Sequence, residues 1–201
     1  MAVRPTTSSA RTAPGVHRIK VTLAGSRPPI WRRLEVPSTI TLRELHEVLQ
    51  AAFGWEDYHL WVFESPLGRY GVADRELQIT SAAAKRLGHV VPAPKDRLGY
   101  TYDFGDNWEH AILVEAVAAA EPGVAYPRCL TGRRACPPED CGGIWGYEYL
   151  LEILADPMHE EHEDRLEWLG LDSADQFDPA AFDLAQTNAA LSHLATVLVK
   201  E

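Results

Sequence analysis

The chain has 201 residues, 46% of them apolar and 24% charged, an ordinary globular balance with length for one core or for a core plus a small appendage. No apolar run approaches the roughly 20 residues that cross a bilayer, and the first residues lack the apolar stretch of a secretory signal; no membrane partner is expected, and the cytoplasm is the expected compartment. The net charge of -10 is uneven: residues 1–50 carry 8 basic and 3 acidic groups and residues 139–201 carry 2 and 15, so the C-terminal third repels phosphate backbones.

Residues 1–15 are rich in Ser, Thr and Pro with little to bury, and they read as a disordered tail ahead of a single domain over 16–201. Ile19, Val21 and Leu23 alternate, Gly25 to Pro29 turns the chain, and Ile30 to Val36 alternates again, which predicts an antiparallel pair. Thr41 and Glu44 make a capping box ahead of Leu42, Leu45, Leu49 and Phe53 at helical spacing, and Gly54 ends the helix. His46 falls on the same stripe and should point toward the sheet. A second strand pair is expected over Tyr58–Glu64 and Arg69–Gly71 around a Ser-Pro-Leu-Gly turn, then a short helix near Ser81–Leu87.

Tyr100–Phe104 and Trp108–Val117 predict a central hairpin, with Gly105, Asp106 and Asn107 as turn or bulge. The segment from Glu121 to Gly143 reads as a loop. Helices are expected over Tyr147–Ala155, His159–Leu169 and Phe182–Val199, broken at Asp156-Pro157 and Asp178-Pro179. Strands first and helices last predict an α+β fold: an antiparallel sheet of N-terminal and central hairpins with one early helix, followed by a helical C-terminal third.

The unusual chemistry lies between Tyr100 and Gly143. In the run Tyr102-Asp-Phe-Gly-Asp-Asn-Trp-Glu-His110, an unbroken strand period would put Asp106, Trp108 and His110 on one face, whereas a turn at Gly105 would put Asp103 and Asp106 at a tip. A carboxylate beside an imidazole serves as an acid-base pair or as two metal ligands, while in the plainer reading the aspartates bond turn amides and His110 is a sheet residue. Cys129, Cys136 and Cys141 are too few and too oddly spaced for a disulfide framework; with His110 or His159 as fourth ligand they would hold zinc, the one cofactor the sequence suggests, and otherwise they are small core residues. Pro137-Pro-Glu-Asp140 with Gly142-Gly143 delivers Glu139 and Asp140 to a fixed place before a helix, where a carboxylate suits ligation, proton transfer or, for Asp140, N-capping. Trp55, His59, Trp108, Asp140 and Trp145 are the candidate binding residues, with the three tryptophans as walls of a pocket.

Pro29-Ile-Trp-Arg-Arg33, Leu45-His-Glu-Val-Leu-Gln50, Gly54-Trp55, His59-Leu60, the run from Tyr102 to His110 and Pro137-Pro-Glu-Asp-Cys-Gly-Gly143 occur in one order, and with them the chain resembles the plasmid pRiA4b ORF-3-like family from about Val16 to Leu191. The resemblance implies a compact α+β domain and a passenger of a mobile element, labelled in places as resolvase-like. Serine recombination needs a nucleophilic serine with an arginine cluster, and the matched region shows neither.

Two functions compete. One is a module that binds a small molecule, a peptide or a protein between the hairpin and the Pro-Pro-Glu-Asp loop. The other is a metal-dependent enzyme, hydrolase-like, with Asp103, Asp106, His110 and Glu139 as ligands or bases. A DNA-associated role through Arg18, Lys20, Arg27, Arg32 and Arg33 is the weaker third reading. No HExxH, Walker glycine loop, G-x-S-x-G or dinucleotide fingerprint is present, so the binding module is the leading reading and the metal-dependent enzyme its alternative.

Overall fold

The computed structural model describes residues 15–198. The tail assigned to residues 1–15 lies outside the described residues except for Gly15, which opens the first strand.

Gly15–Leu23 (β1) and Trp31–Pro37 (β2) pair antiparallel in the register Ile19↔Leu34 and Val21↔Arg32. Their alternation buries Ile19, Val21, Leu23, Leu34 and Val36 on one face. Leu42–Phe53 (α1) lies over that face and begins in the expected capping box: Glu44 N donates to Thr41 Oγ1 (3.2 Å) and Thr41 N to a Glu44 carboxylate oxygen (2.6 Å). It ends at Gly54 in the left-handed conformation. Trp61–Ser65 (β3) and Gly68–Gly71 (β4) follow, then Ile79–Ser81 (β5), a short 3-10 turn at Ala82–Ala84 and a single helical turn Leu87–Val90 (α2). Arg97–Tyr102 (β6) and Trp108–Ala119 (β7) form the central hairpin.

The segment expected to be loop contains a strand, Arg128–Arg133 (β8), which pairs with β2. Gly143–Ala155 (α3), His162–Leu169 (α4) and Leu184–Leu198 (α5) follow, and α5 packs against β8, where Asn188 Oδ1 accepts from Cys129 N (2.8 Å) and Asn188 Nδ2 donates to Cys129 O (3.0 Å). The eight strands make one sheet in the order β5-β4-β3-β6-β7-β1-β2-β8, antiparallel at every pairing except β4 with β5. The fold is α+β.

One sheet face carries the core, with α1 and α5 beside each other over it; Leu150, Leu154 and Leu166 make a smaller cluster between α3 and α4. The opposite face carries ion pairs. Glu35 bridges Arg18 (2.9 Å) and Arg128 (2.6 Å) on the two flanking strands, and Arg33 pairs with Glu115 (2.6 Å). Burial alone would raise the Glu35 pKa, but the bonds from Arg18 and Arg128 hold it below the ordinary carboxylate value. The basic stretch of the first hairpin is thus largely neutralised: Arg18 and Arg33 are paired, and Arg32 is buried. No helix among the described residues is long and apolar enough to cross a membrane.

Candidate functional site

β6 ends at Tyr102, and the chain reverses over Asp103 to Asn107. Asp103 and Asn107 adopt φ of 54° and 55°, a left-handed conformation that Asp and Asn tolerate better than other side chains. Asn107 N donates to Asp103 O (2.6 Å), and Gly105 N donates to Asp103 Oδ1 (2.8 Å). The turn geometry therefore wins over an unbroken strand period, and Asp103 and Asp106 sit at the tip of the hairpin.

The Pro-Pro-Glu-Asp loop docks on that tip. Gly142 N donates to Asp106 Oδ2 (3.0 Å), and Gly143, at φ 68°, lies so close that a Cβ there would collide with the Asp106 carbonyl oxygen. From the other side Trp55 Nε1, just past α1, donates to Pro137 O (3.0 Å). The loop is pinned between the hairpin tip and the end of α1, and this fixes Glu139 and Asp140.

Glu139 Oε1 accepts from Glu56 N (2.7 Å) and from the Tyr102 hydroxyl (3.0 Å), which itself accepts from Tyr58 N (3.0 Å). Burial, then the bond to Glu139, raises the Tyr102 pKa, so the hydroxyl stays protonated and remains a donor. Glu139 Oε2 is shut off from solvent, makes no hydrogen bond and lies 3.8 Å from His59 Nε2. Asp103 repeats the pattern, with Oδ1 bonded to Gly105 N and Oδ2 3.7 Å from His59 Nε2. Asp140, at φ 56°, brings Oδ1 to 3.0 Å from Nε2, close but out of line for a hydrogen bond, so His59 Nε2 is also buried and unbonded. The His59 ring stands edge-on to Tyr102 at 5.7 Å.

One imidazole nitrogen thus faces three carboxylates, two of which have one oxygen anchored and the other turned inward. Nitrogen with carboxylate oxygen is the donor set of zinc, manganese or iron(II) sites, and a bonded outer oxygen is how proteins orient such ligands. Among the described residues, His59, Asp103 and Asp140 are the one group of three His, Cys, Asp or Glu side chains whose ligand atoms lie within 4.8 Å of one another.

The other sequence candidates lie elsewhere. His110 does not join the group: the alternation of β7 puts Trp108, His110 and Ile112 on the core side, where His110 packs against Phe53 (4.9 Å), Trp55 (5.3 Å) and Tyr100 (5.3 Å). Its Nδ1 donates to Trp108 O (2.9 Å), and burial lowers its pKa to about 4. Cys129, Cys136 and Cys141 do not converge with it either. Cys129 lies in β8 with Sγ donating to Thr131 O (3.5 Å), and His159 Nδ1 accepts from Glu161 N (3.1 Å). Burial pushes the Cys141 thiol up to about 12 and that of Cys136 well above its ordinary value, and among the described residues no group of three His, Cys, Asp or Glu with converging ligand atoms includes a cysteine. The three tryptophans do not share a pocket: Trp55 and Trp108 are buried 5.8 Å apart, while Trp145 on α3 is 79% exposed. Asp140 does not cap α3, whose N-cap is Gly142 without a side-chain bond. Tyr102 and the Glu56 amide, which hold Glu139, are not among the sequence candidates; the place of Tyr102 one residue before Asp103 is the signal that points to it.

A crystal structure described as a protein of unknown function, MM3350 from Methanosarcina mazei Go1, matches with a TM-score of 0.77 at 41% identity, covering 87% of this chain and 98% of that one. The uncharacterized protein y4hQ of Sinorhizobium fredii is 43% identical over 183 residues, 90% of this chain and 92% of its own length. The plasmid pRiA4b ORF-3-like family matches residues 15–186, and with the shared fold and the ordered motifs of the hairpin and the loop this chain belongs to that family.

Proposed function

We propose that this protein is a metal-dependent enzyme of hydrolase type, with a divalent cation held by His59, Asp103, Glu139 and Asp140. The binding and catalytic readings of the sequence meet here, because the ion is what the hairpin and the loop would bind first. The observation that carries the proposal is the pairing of two buried, unbonded atoms, His59 Nε2 and Glu139 Oε2, across 3.8 Å. A buried acceptor left without a partner costs about 1–3 kcal/mol, and a cation between these atoms would satisfy both. Asp140 is more than half exposed, so the cation would keep a side open to water and substrate. A bound divalent ion lowers the pKa of its water toward neutrality and polarises a carbonyl or phosphoryl oxygen. Asp106 would then be a positioning residue that keeps the loop on the hairpin.

Calorimetric titration of Zn²⁺ and Mn²⁺ into chelator-treated protein tests this. One equivalent should bind, and His59→Ala and Glu139→Gln should each weaken binding at least about tenfold while leaving the melting temperature near that of the parent. No binding, or equal affinity in His59→Ala, refutes the site. Metal-dependent cleavage of an activated phosphate or carboxylate ester, lost in His59→Ala, separates an enzyme from a cation-binding module.

A further inference from the structure

Away from the His59 group, a cavity of about 320 Å³ opens between the C-terminal end of α1 and the first turns of α5. Its walls are mostly apolar, built from Ala52, Phe53, Ala135, Phe182 and Ala190, and they include Arg32. Arg32 is only 4% exposed. Its Nε donates to Ala52 O (3.0 Å), and its Nη1 donates to Trp31 O (3.0 Å) and Arg133 O (3.0 Å). The guanidinium lies between the rings of Phe53 (5.1 Å) and Phe182 (4.5 Å). Gly132 makes room for this stack, since a Cβ there would press on both the Phe182 ring and the Arg32 side chain.

Two features are unusual for a buried guanidinium. Among the described residues no carboxylate forms an ion pair with Arg32, and Nη2 makes no hydrogen bond. The ionisable groups that act on its charge, Cys136 and Cys129, are thiols whose pKa burial raises. Asp183 lines the cavity but spends Oδ1 on Gln186 N (2.9 Å) at the start of α5. Buried charges are usually paired, and the carbonyls at the end of α1 supply only partial negative charge.

We propose that this cavity binds a small organic carboxylate, with the acid group on Arg32 Nη2 and an apolar body against the alanines and Phe182. One free guanidinium nitrogen suits a monoanion, and the alanine walls suit a hydrocarbon tail better than a phosphate or sugar. The site is distinct from the His59 group, since none of its lining residues belongs to that group.

Benzoate titrated into protein labelled at its alanine methyls provides the test, with benzamide as the uncharged control. Benzoate should give saturable shifts at Ala52, Ala135 and Ala190, and benzamide should bind at least about tenfold more weakly, because it lacks the charge-assisted bond. Ala190→Phe fills the cavity from α5 without touching the three carbonyl bonds of Arg32, and it should abolish the shifts at Ala52 and Ala135 in a folded protein. In His59→Ala the benzoate affinity should stay unchanged, which separates this site from the proposed metal centre. Equal binding of benzoate and benzamide, undiminished binding in Ala190→Phe, or no saturable shift at the cavity alanines overturns the proposal.

Discussion

Gly143→Ala measures how tightly the acidic loop is pressed onto the hairpin, and Gly170→Ala supplies its control. The two glycines have almost the same backbone, φ 68° and φ 66°, so each substitution forces an alanine into the left-handed region at about 1 kcal/mol. Around Gly170 a new Cβ meets nothing within 4 Å, whereas at Gly143 it runs into the Asp106 carbonyl oxygen. To relieve that clash the loop must lift from the tip, losing the Gly142–Asp106 bond at about 1 kcal/mol and disturbing packing at about 1–3 kcal/mol. The expected losses are thus about 1 kcal/mol for Gly170→Ala and about 3–5 kcal/mol for Gly143→Ala. With a urea m-value of about 2 kcal/mol/M, the unfolding midpoints should fall by about 0.5 M and about 2 M respectively. Midpoints that agree within about 0.3 M would show that the loop and hairpin are not in van der Waals contact, and the geometry assigned to Glu139 and Asp140 would go with it.

Three further outcomes follow from buried groups. Burial lowers the His46 pKa to about 4, against a smaller opposing pull from Asp57, and that of His110 to about 4 as well, both from an ordinary 6.5. Because the unfolded chain takes up these protons first, stability is full above about pH 6.5 and declines as the pH falls toward 4, by up to about 3 kcal/mol per histidine. Urea midpoints at pH 7 and pH 5 check this, and equal values at the two pH values would contradict it. Tyr102→Phe removes one of the two donors that turn Glu139 inward, so the titration with Zn²⁺ or Mn²⁺ should show affinity reduced about tenfold or more, and unchanged affinity would remove Glu139 from the ligand set. The buried Cys129 thiol, raised in pKa by burial, should react with an aromatic disulfide reagent at pH 8 only on unfolding; rapid native labelling of Cys129 would mean that β8 opens.

Local signals made much of the fold legible. α1 announces itself by Thr41, Glu44, Gly54 and a 3.6-residue stripe, and each of these controls only its own turn of helix. The central hairpin is equally plain, while the residues leave a turn at Gly105 and an unbroken strand period both open, and the structure takes the turn. β8 was not legible, because its pairing with β2 and its bonds to Asn188 come from residues far along the chain. The candidate site shows the same division. Asp103 and Glu139 are sequence candidates for chemistry and His59 and Asp140 for binding, but three separated segments supply them and only the docked loop brings them together. His110 shows the opposite case: strand alternation puts it on one face with Trp108, but which face is the aromatic core depends on Phe53, Trp55 and Tyr100 from other segments.

Asn188 has a further consequence for how this molecule behaves in a crowded solution. The outermost strand of an open sheet offers unpaired amides and carbonyls on which another chain can build, and natural proteins disarm such edges. At Cys129 the carboxamide of Asn188 takes both outward backbone groups, imitating the next strand with a single side chain. At the far end the sheet stops at β5, three residues long, too short to template much growth. The border at β8 is thus covered at Cys129 by an amide and the border at β5 is short, two features that disfavour edge-to-edge pairing with another copy.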